Sequence, residues 1–146
     1  MKISAFKSAD VDLLDVQPGQ QVELGTVAPE DARRLEGAPG PSWTFWRDGK
    51  PIACLGLIEL WRGDYVRYMA WGLLSPTDTY GLLWLTRRFK NYLASGLTKT
   101  RIEFTAAADF PQANRWAKVL GFQPVGVLKQ YGPDGRDFIL YDWTAP

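Results

Sequence analysis

The amino-acid sequence predicts an α+β fold: a mixed, mainly antiparallel sheet of about six to seven strands with helices on both faces. Two observations support this prediction. The middle of the chain contains three strand-like segments joined by short turns, and the second half alternates two helical patterns with further strands. Since 146 residues is the usual size of one domain, we expect residues 1–146 to fold as a single unit.

The first third of the chain is the least regular. Residues 2–6 alternate weakly and are interpreted as a strand, and residues 11–14 as a short helix before a loop that includes residues 20–24. Residues 28–36 should form a helix, because a proline lies near the start and acidic residues occupy the first turn. The glycines and prolines of residues 37–41 should end that helix.

The three strand-like segments are residues 42–46, 50–61 and 65–74. Asp48 and Gly49 join the first two and form a dipeptide typical of tight hairpins. The second segment has a nearly continuous apolar middle, which is typical of a strand covered on both faces. We therefore predict an antiparallel meander.

The second half of the chain predicts two helices and three more strands. A helix should begin after Ser75 and Pro76 and end at Gly96, because apolar residues recur at helical spacing between them. Those residues are Leu82, Leu85, Phe89 and Leu93. A strand over residues 100–106 and a helix over residues 111–120 should follow. The chain should then end in a hairpin, and its two strands are predicted at residues 122–131 and 138–143.

The composition excludes several classes of function. A formal net charge of +1 gives no electrostatic footprint for nucleic acid and no polybasic patch for a membrane surface. The lack of histidine removes the most common general base and most zinc sites, so no metal site is predicted. Cys54 lies in an apolar run and is expected to be a buried, inert thiol. No signal-like or membrane-length apolar stretch occurs, so a cytoplasmic location is expected.

Three passages carry a family resemblance. Residues 47–57 are similar to a hairpin of second and third strands, and residues 68–89 to a fourth strand with a cofactor-binding helix. Residues 113–122 are the most specific passage, because they are similar to a helix that ends in Leu-Gly-Phe before a sixth strand. Over essentially its whole length the chain resembles the GNAT (Gcn5-related N-acetyltransferase) superfamily.

This resemblance implies an acyl-CoA-dependent N-acyltransferase that uses acetyl-CoA and transfers the acetyl group to a small-molecule or protein amine by direct attack. The fourth and fifth strands would part to hold the pantetheine arm, and the pyrophosphate would lie at the N-terminus of the next helix. The cofactor-binding positions that it implies are Leu73, Leu74, Ser75, Thr79, Tyr80, Gly81 and Asn114.

The cofactor loop departs from the family pattern, which reads roughly Arg/Gln-x-x-Gly-x-Gly/Ala. Only Gly81 remains, Thr79 stands at the arginine position, and Leu82 and Trp84 stand where glycines are expected. Residues 75–78 also fit a helix capping box, whose last residue would place a carboxylate where the pyrophosphate would lie.

Three residues are candidates for catalysis. Glu59 and Glu103 could act as general bases, and Tyr131 could donate a proton. The alternative for the two carboxylates is an ion pair with Arg62, Arg101 or another neighbour. The alternative for the tyrosine is packing at the end of a strand.

Two other functions remain open. The acid tyrosine frequent in the family falls on Ala117, which favours a non-catalytic GNAT-like protein with a binding or virion-associated structural role. The Arg115-Trp116 spacing and the tail at residues 135–137 are similar to small GNAT-like proteins of tailed bacteriophages and prophages, which implies phage virion components as partners. The other alternative is a homodimeric module whose aromatic cleft binds a different small molecule. Its candidate aromatic residues are Trp46, Trp61 and Trp71.

Overall fold

The computed structural model describes residues 1–16, 29–76 and 79–146. Within them the helices and strands follow the predicted order. They are β1 (Lys2–Ala5), α1 (Asp10–Leu13), α2 (Pro29–Gly37), β2 (Ser42–Arg47), β3 (Lys50–Arg62), β4 (Val66–Leu74), α3 (Thr79–Leu93), β5 (Thr100–Ala107), α4 (Pro111–Val119), β6 (Gln123–Leu128) and β7 (Phe138–Ala145). The predicted loop at residues 20–24, and Thr77 and Asp78 of the predicted capping box, lie outside the described residues.

The described strands form one seven-stranded sheet in the order β1-β2-β3-β4-β5-β7-β6. Neighbouring strands are antiparallel except β4 and β5, which are parallel. A parallel pair needs a long crossover, and α3 supplies it. The mixed, mainly antiparallel sheet predicted from the sequence is therefore confirmed.

The β4–β5 pair is incomplete. It covers residues 66–69 of β4 and residues 100–103 of β5, and the last paired residues are Met69 and Glu103. Beyond this point β4 continues along β3 to Leu74, while β5 continues along β7 to Ala107. The two strands therefore part in a V. We call the paired residues the vertex and residues 70–74 with 104–107 the open half.

Helices cover both faces of the sheet. On one face, residues of β1–α1 and the central strands pack together, among them Phe6, Leu14, Cys54 and Leu73, with Leu35 of α2 beside them. On the other face, α3 and α4 pack onto β3 and β5 through Leu57, Phe89, Leu93, Ile102 and Ala117. Every residue from Pro51 to Leu57 is buried, which confirms that β3 is covered on both sides. None of the helices in the described part of the chain combines the length and hydropathy needed to cross a bilayer.

Turn residues set the ends of several elements. Asp48 and Gly49 both have positive φ, 49° and 76°, which suits the right-handed twist of a tight hairpin. The sequence-based end of β6 at residue 131 is wrong, because the strand ends at Leu128. The two residues after Leu128 instead bond to Asp137. The Asp137 carboxylate accepts from the Gln130 amide at 3.0 Å and from Lys129 Nζ at 3.2 Å.

Cys54 lies in the centre of β3 and is fully buried, as predicted. Its sulfur is 3.8 Å from the Thr44 hydroxyl, which donates a hydrogen bond of 2.5 Å to Asp10. Burial raises the pKa of the Cys54 thiol to about 11, although the Thr44 hydroxyl opposes part of that rise. The thiol is therefore protonated at neutral pH.

Candidate active site

Two cavities open on opposite faces of the sheet where β4 and β5 part. One lies against α3 and α4 and has a volume of about 270 Å³; we call it the α3-side cavity. The other lies against α2 and has a volume of about 470 Å³; we call it the α2-side cavity. Both are lined by Ala70, Trp71, Gly72, Phe104 and Ala113. The two cavities thus adjoin at the open half of the V, and we call the space between the strands there the passage.

The α3-side cavity is largely apolar. Its walls come from the end of β4, from α3 and from α4, and include Leu74, Leu82, Phe110, Ala117 and Leu120. Ser75 and Gln112 add polar groups. Such a lining suits a narrow, mainly apolar chain with a few polar groups along it.

A hydrogen-bonded chain fixes the indole of Trp116 in the wall of this cavity. Trp116 Nε1 donates to the Thr86 hydroxyl at 2.9 Å, and that hydroxyl donates to the Leu82 carbonyl at 2.7 Å. The pair joins α4 to α3, so the cavity wall is held by both helices.

The end of β4 presents its amides in alternate directions. The Ser75 amide donates to the Ile52 carbonyl of β3 at 2.9 Å. Because N–H groups of neighbouring strand residues point to opposite edges, the Leu73 amide faces β3 as well, and the Leu74 amide faces the β5 side. Of the three expected cofactor-binding residues at the end of β4, Leu74 is therefore the one whose amide is oriented toward the cleft.

The first turn of α3 carries the residues expected at a pyrophosphate. Thr79 and Tyr80 are exposed and Gly81 is buried, but none of these three lines either cavity. The guanidinium of Arg47 lies 5.6 Å from the centre of the Tyr80 ring, which ties this turn to the β2–β3 hairpin. Trp84, at a position where the family has glycine, packs edge-on against Phe45 at 5.7 Å and so points into the core.

Asn114 joins the start of α4 to the end of β5. Its Nδ2 donates to the carbonyls of Ala107 at 2.9 Å and Phe110 at 2.8 Å, and its Oδ1 accepts from the Tyr141 hydroxyl at 2.6 Å. Both amide hydrogens are used in these contacts. These contacts favour a structural role, and the neighbouring Ala113 is the residue of this turn that reaches both cavities.

The two candidate carboxylates are in ion pairs, as their alternative interpretation states. Glu59 accepts from Arg62 at 2.7 Å near the far end of β3. Glu103 accepts two bonds from Arg67, at 2.7 and 2.8 Å, and one from Arg101 at 3.0 Å. Hydrogen bonding to Arg67 is the main cause that lowers the pKa of Glu103, and Arg101 adds to it against the opposing effect of burial. A carboxylate held this way is a weak proton acceptor.

Tyr131 is the one predicted catalytic residue that lines the cleft. Its side chain borders the α2-side cavity, is 55% exposed and packs edge-on against Phe138 at 5.4 Å. Among the three candidate tryptophans, Trp71 lines the cleft, whereas Trp46 donates to the Ser4 hydroxyl at 2.8 Å and Trp61 is exposed near the β3–β4 turn.

Gly56 makes room for the Trp71 ring. A Cβ added at Gly56 would lie 2.5 Å from Trp71 Nε1, so the indole rests flat on β3 where a side chain would otherwise stand. The ring also packs edge-on against Phe6 at 5.1 Å. Trp71 therefore has a fixed place beside the passage.

Sequence reasoning missed Asp31 and Arg34, which line the α2-side cavity together with Thr105. The first turn of α2 was interpreted through its acidic residues alone, as favourable interactions with the helix dipole. An acidic and a basic residue three positions apart lie on one face of a helix, so the pattern was visible. Local sequence cannot show that this face lies toward β5, because that depends on how α2 packs in the tertiary structure.

No protein-family profile matches the chain, and no curated protein matches it by sequence. Solved structures do match over nearly its whole length. A protein provisionally named a phosphinothricin N-acetyltransferase has a TM-score of 0.75 at 11% identity, covering 99% of this chain and 98% of that one. The ribosomal-protein-alanine N-acetyltransferase from Brucella melitensis has a TM-score of 0.68 at 15% identity, covering 99% of both chains.

The aminoglycoside 6'-acetyltransferase type Ii has a TM-score of 0.67 at 17% identity, covering 99% of this chain and 97% of that one. These identities are too low to transfer an activity, because one fold carries many functions. What these similarities show is a shared arrangement of strands and helices over nearly the whole chain. The chain therefore has the GNAT fold.

Proposed function

We propose that the protein is an acyl-CoA-dependent N-acyltransferase, which transfers an acetyl group from acetyl-CoA to an amine by direct attack on the thioester. The observation that carries this proposal is the passage between β4 and β5, whose residues line both a largely apolar cavity and a larger one with charged groups at its rim. Two reactants entering from opposite faces would meet in that passage. Holding reactants in such a geometry supplies much of the rate enhancement in a direct transfer.

The residues of the α3-side cavity fit an acyl-CoA. Its apolar walls and the Ser75 and Gln112 side chains suit a pantetheine arm, and the first turn of the 15-residue helix α3 would lie near the pyrophosphate. Trp84 does not obstruct that turn, because its ring packs on Phe45. When bound, acyl-CoA supplies the activated thioester.

The protein's own groups would orient the acceptor and manage its protons. The acceptor would enter through the α2-side cavity, where the Tyr131 hydroxyl is available to protonate the leaving thiolate. Glu103 and Glu59 serve better as ion-pair partners, since each carboxylate already accepts from arginine. The amine proton would be removed by water or by the carboxylate of Asp31, which borders the α2-side cavity.

Calorimetry with acetyl-CoA tests this proposal. Binding to the folded protein at hundredfold excess over Kd should raise the free energy of unfolding by about 2.7 kcal/mol. Ala113→Leu should weaken binding, because Ala113 lines both cavities, whereas Ala94→Leu at an exposed site after α3 should not. No heat and no thermal stabilisation at millimolar acetyl-CoA would contradict the proposal.

A second candidate is a non-catalytic GNAT-fold protein with a binding or virion-associated structural role, including one of phage origin. Ala117 favours it, because this residue lines the α3-side cavity where a phenol would serve as the acid. The phage origin rests on the sequence resemblance around Arg115-Trp116. Binding of acetyl-CoA without CoA release in the presence of a broad set of amines would support this alternative.

A further inference from the structure

One acidic and one basic side chain border the α2-side cavity, and both come from the same face of α2. Asp31 Oδ1 and Arg34 Nη1 are 3.8 Å apart, which is an ion-pair distance but too long for a hydrogen bond. The two side chains are 55% and 82% exposed. In the described part of the chain this loose pair is the one polar contact that either side chain makes, so both retain hydrogen-bonding capacity.

The rest of the described lining is uncharged. Met69, Trp71 and Phe138 provide apolar surface, and Thr105 and Tyr131 provide hydroxyls. The described lining therefore has zero net charge, with one site for an anion and one for a cation. An acceptor with several positive charges would meet a single carboxylate and would be repelled by Arg34.

We propose that the acceptor is a small amine that also carries a carboxylate, an amino acid with an apolar side chain. Arg34 binds the carboxylate as a guanidinium fork, Asp31 accepts a hydrogen bond from the ammonium, and the apolar substituent packs on Trp71 and Met69. The inference rests on the proposed acyltransferase function. It names the acceptor class for the same site.

The transfer balances with these groups. The ammonium first gives one proton to water or to the Asp31 carboxylate, and the neutral nitrogen forms a bond to the acyl carbonyl carbon. As the carbon–sulfur bond breaks, the nitrogen gives up its second proton to water. The departing thiolate takes up one proton, from the Tyr131 hydroxyl or from water, to give free CoA, and a water proton restores the phenol. The products are an N-acyl amino acid and CoA, and no oxidant or metal is required.

Rates of CoA release with leucine, leucinamide and spermidine test the acceptor class. Leucinamide keeps the amine and the apolar side chain but lacks the carboxylate. We expect kcat/KM for leucine to exceed that for leucinamide by about tenfold, the size of one charge-assisted hydrogen-bonded contact. Spermidine should be the poorest of the three acceptors.

Matched variants on α2 test whether Arg34 and Asp31 bind the acceptor. Arg34→Gln should lower kcat/KM for leucine by about tenfold and so abolish the preference for leucine over leucinamide. Arg33→Gln is the control, because Arg33 is an exposed neighbour that does not line the cavity. Asp31→Asn should raise KM for both leucine and leucinamide, with Glu30→Gln as its control.

The outcomes separate the inference from the function on which it rests. Equal kcat/KM for leucine and leucinamide, or a faster reaction with spermidine, overturns the inference while CoA release supports the acyltransferase. Failure to bind acetyl-CoA overturns the acyltransferase itself. In that case calorimetry still decides the site: leucine that binds no better than leucinamide, or equally well to the R34Q variant, overturns the inference.

Discussion

The same two strands, β4 and β5, behave differently at the vertex and in the open half. At the vertex, Arg67 and Arg101 occupy directly paired positions, and Glu103 lies between them and accepts from both. Asp142 of β7 accepts from Arg101 at 2.5 Å and extends the network. In the open half the corresponding positions carry small or apolar side chains such as Ala70, and the space between the strands becomes cavity.

The contrast shows how one strand pair divides two tasks. Two arginines on paired positions would repel each other, so the vertex depends on the carboxylate that bridges them. The open half depends instead on packing against α3 and α4. The ion pairs therefore link the strands where they meet, and beyond that point each strand continues along its other neighbour and leaves the passage between them.

The largest expected effect on stability is at the vertex. Glu103→Ala leaves two partly buried guanidiniums without their common acceptor, so the free energy of unfolding should fall by about 2 kcal/mol, less than for a fully buried pair because the arginines are partly exposed. Urea unfolding measures the change. Glu59→Ala is the control, since its pair with Arg62 is more exposed and should matter little. Equal unfolding midpoints for the two variants would contradict this account of the vertex.

A smaller effect on stability is expected in the open half, together with a larger one on binding. A Cβ at Gly72 would lie 2.7 Å from a methyl of Leu55, which can shift, so Gly72→Val should cost about 1 kcal/mol. The added methyls should also narrow the passage and abolish acetyl-CoA binding measured by calorimetry. Gly126→Val on β6 is the control, because a Cβ there meets no atom within 4 Å. Unchanged binding in the Gly72 variant would show that the passage is not the ligand site.

The smallest effect is the pH dependence of the vertex. The pKa of Glu103 is lower in the folded protein than in the unfolded chain, mainly because of Arg67, so its contribution is complete above the unfolded pKa of about 4.3. It is lost as the pH falls through the folded-state pKa. The stability advantage of the wild type over Glu103→Gln should therefore be constant above about pH 5 and shrink toward pH 3. Urea titrations of both proteins across this range measure it, and a constant difference would contradict the assigned charge pairing.

Much of the fold could be predicted because its signals are local. The hairpin at Asp48 and Gly49 follows from the positive φ that this dipeptide tolerates, and Gly121 follows the C-cap of α4 for the same reason, at φ of 93°. The predicted end of α3 at Gly96 is wrong by three residues, because the helix ends at Leu93. The buried run of β3 follows from its unbroken apolar composition. The end of β6 was misplaced because the carboxylate of Asp137, nine residues beyond that end, governs it.

The site was less predictable because its parts are distant in sequence. Glu103 was considered as a base or as an ion-pair partner, and only the register of β4 against β5 places Arg67 beside it. Asp31 and Arg34 line the α2-side cavity because α2 packs over strands that follow much later in the chain. The roles of Glu59, Tyr131 and the cofactor positions remain predictions.

The single cysteine gives the molecule an internal reporter. Cys54 is the only cysteine in the sequence, and its thiol is fully buried and protonated at neutral pH. A thiol reagent can reach it only when the centre of the sheet opens, since the thiolate is the reactive species and the folded core disfavours it. The rate of alkylation of the unmodified protein thus reads out how often the sheet opens, with no label or engineered residue to disturb it.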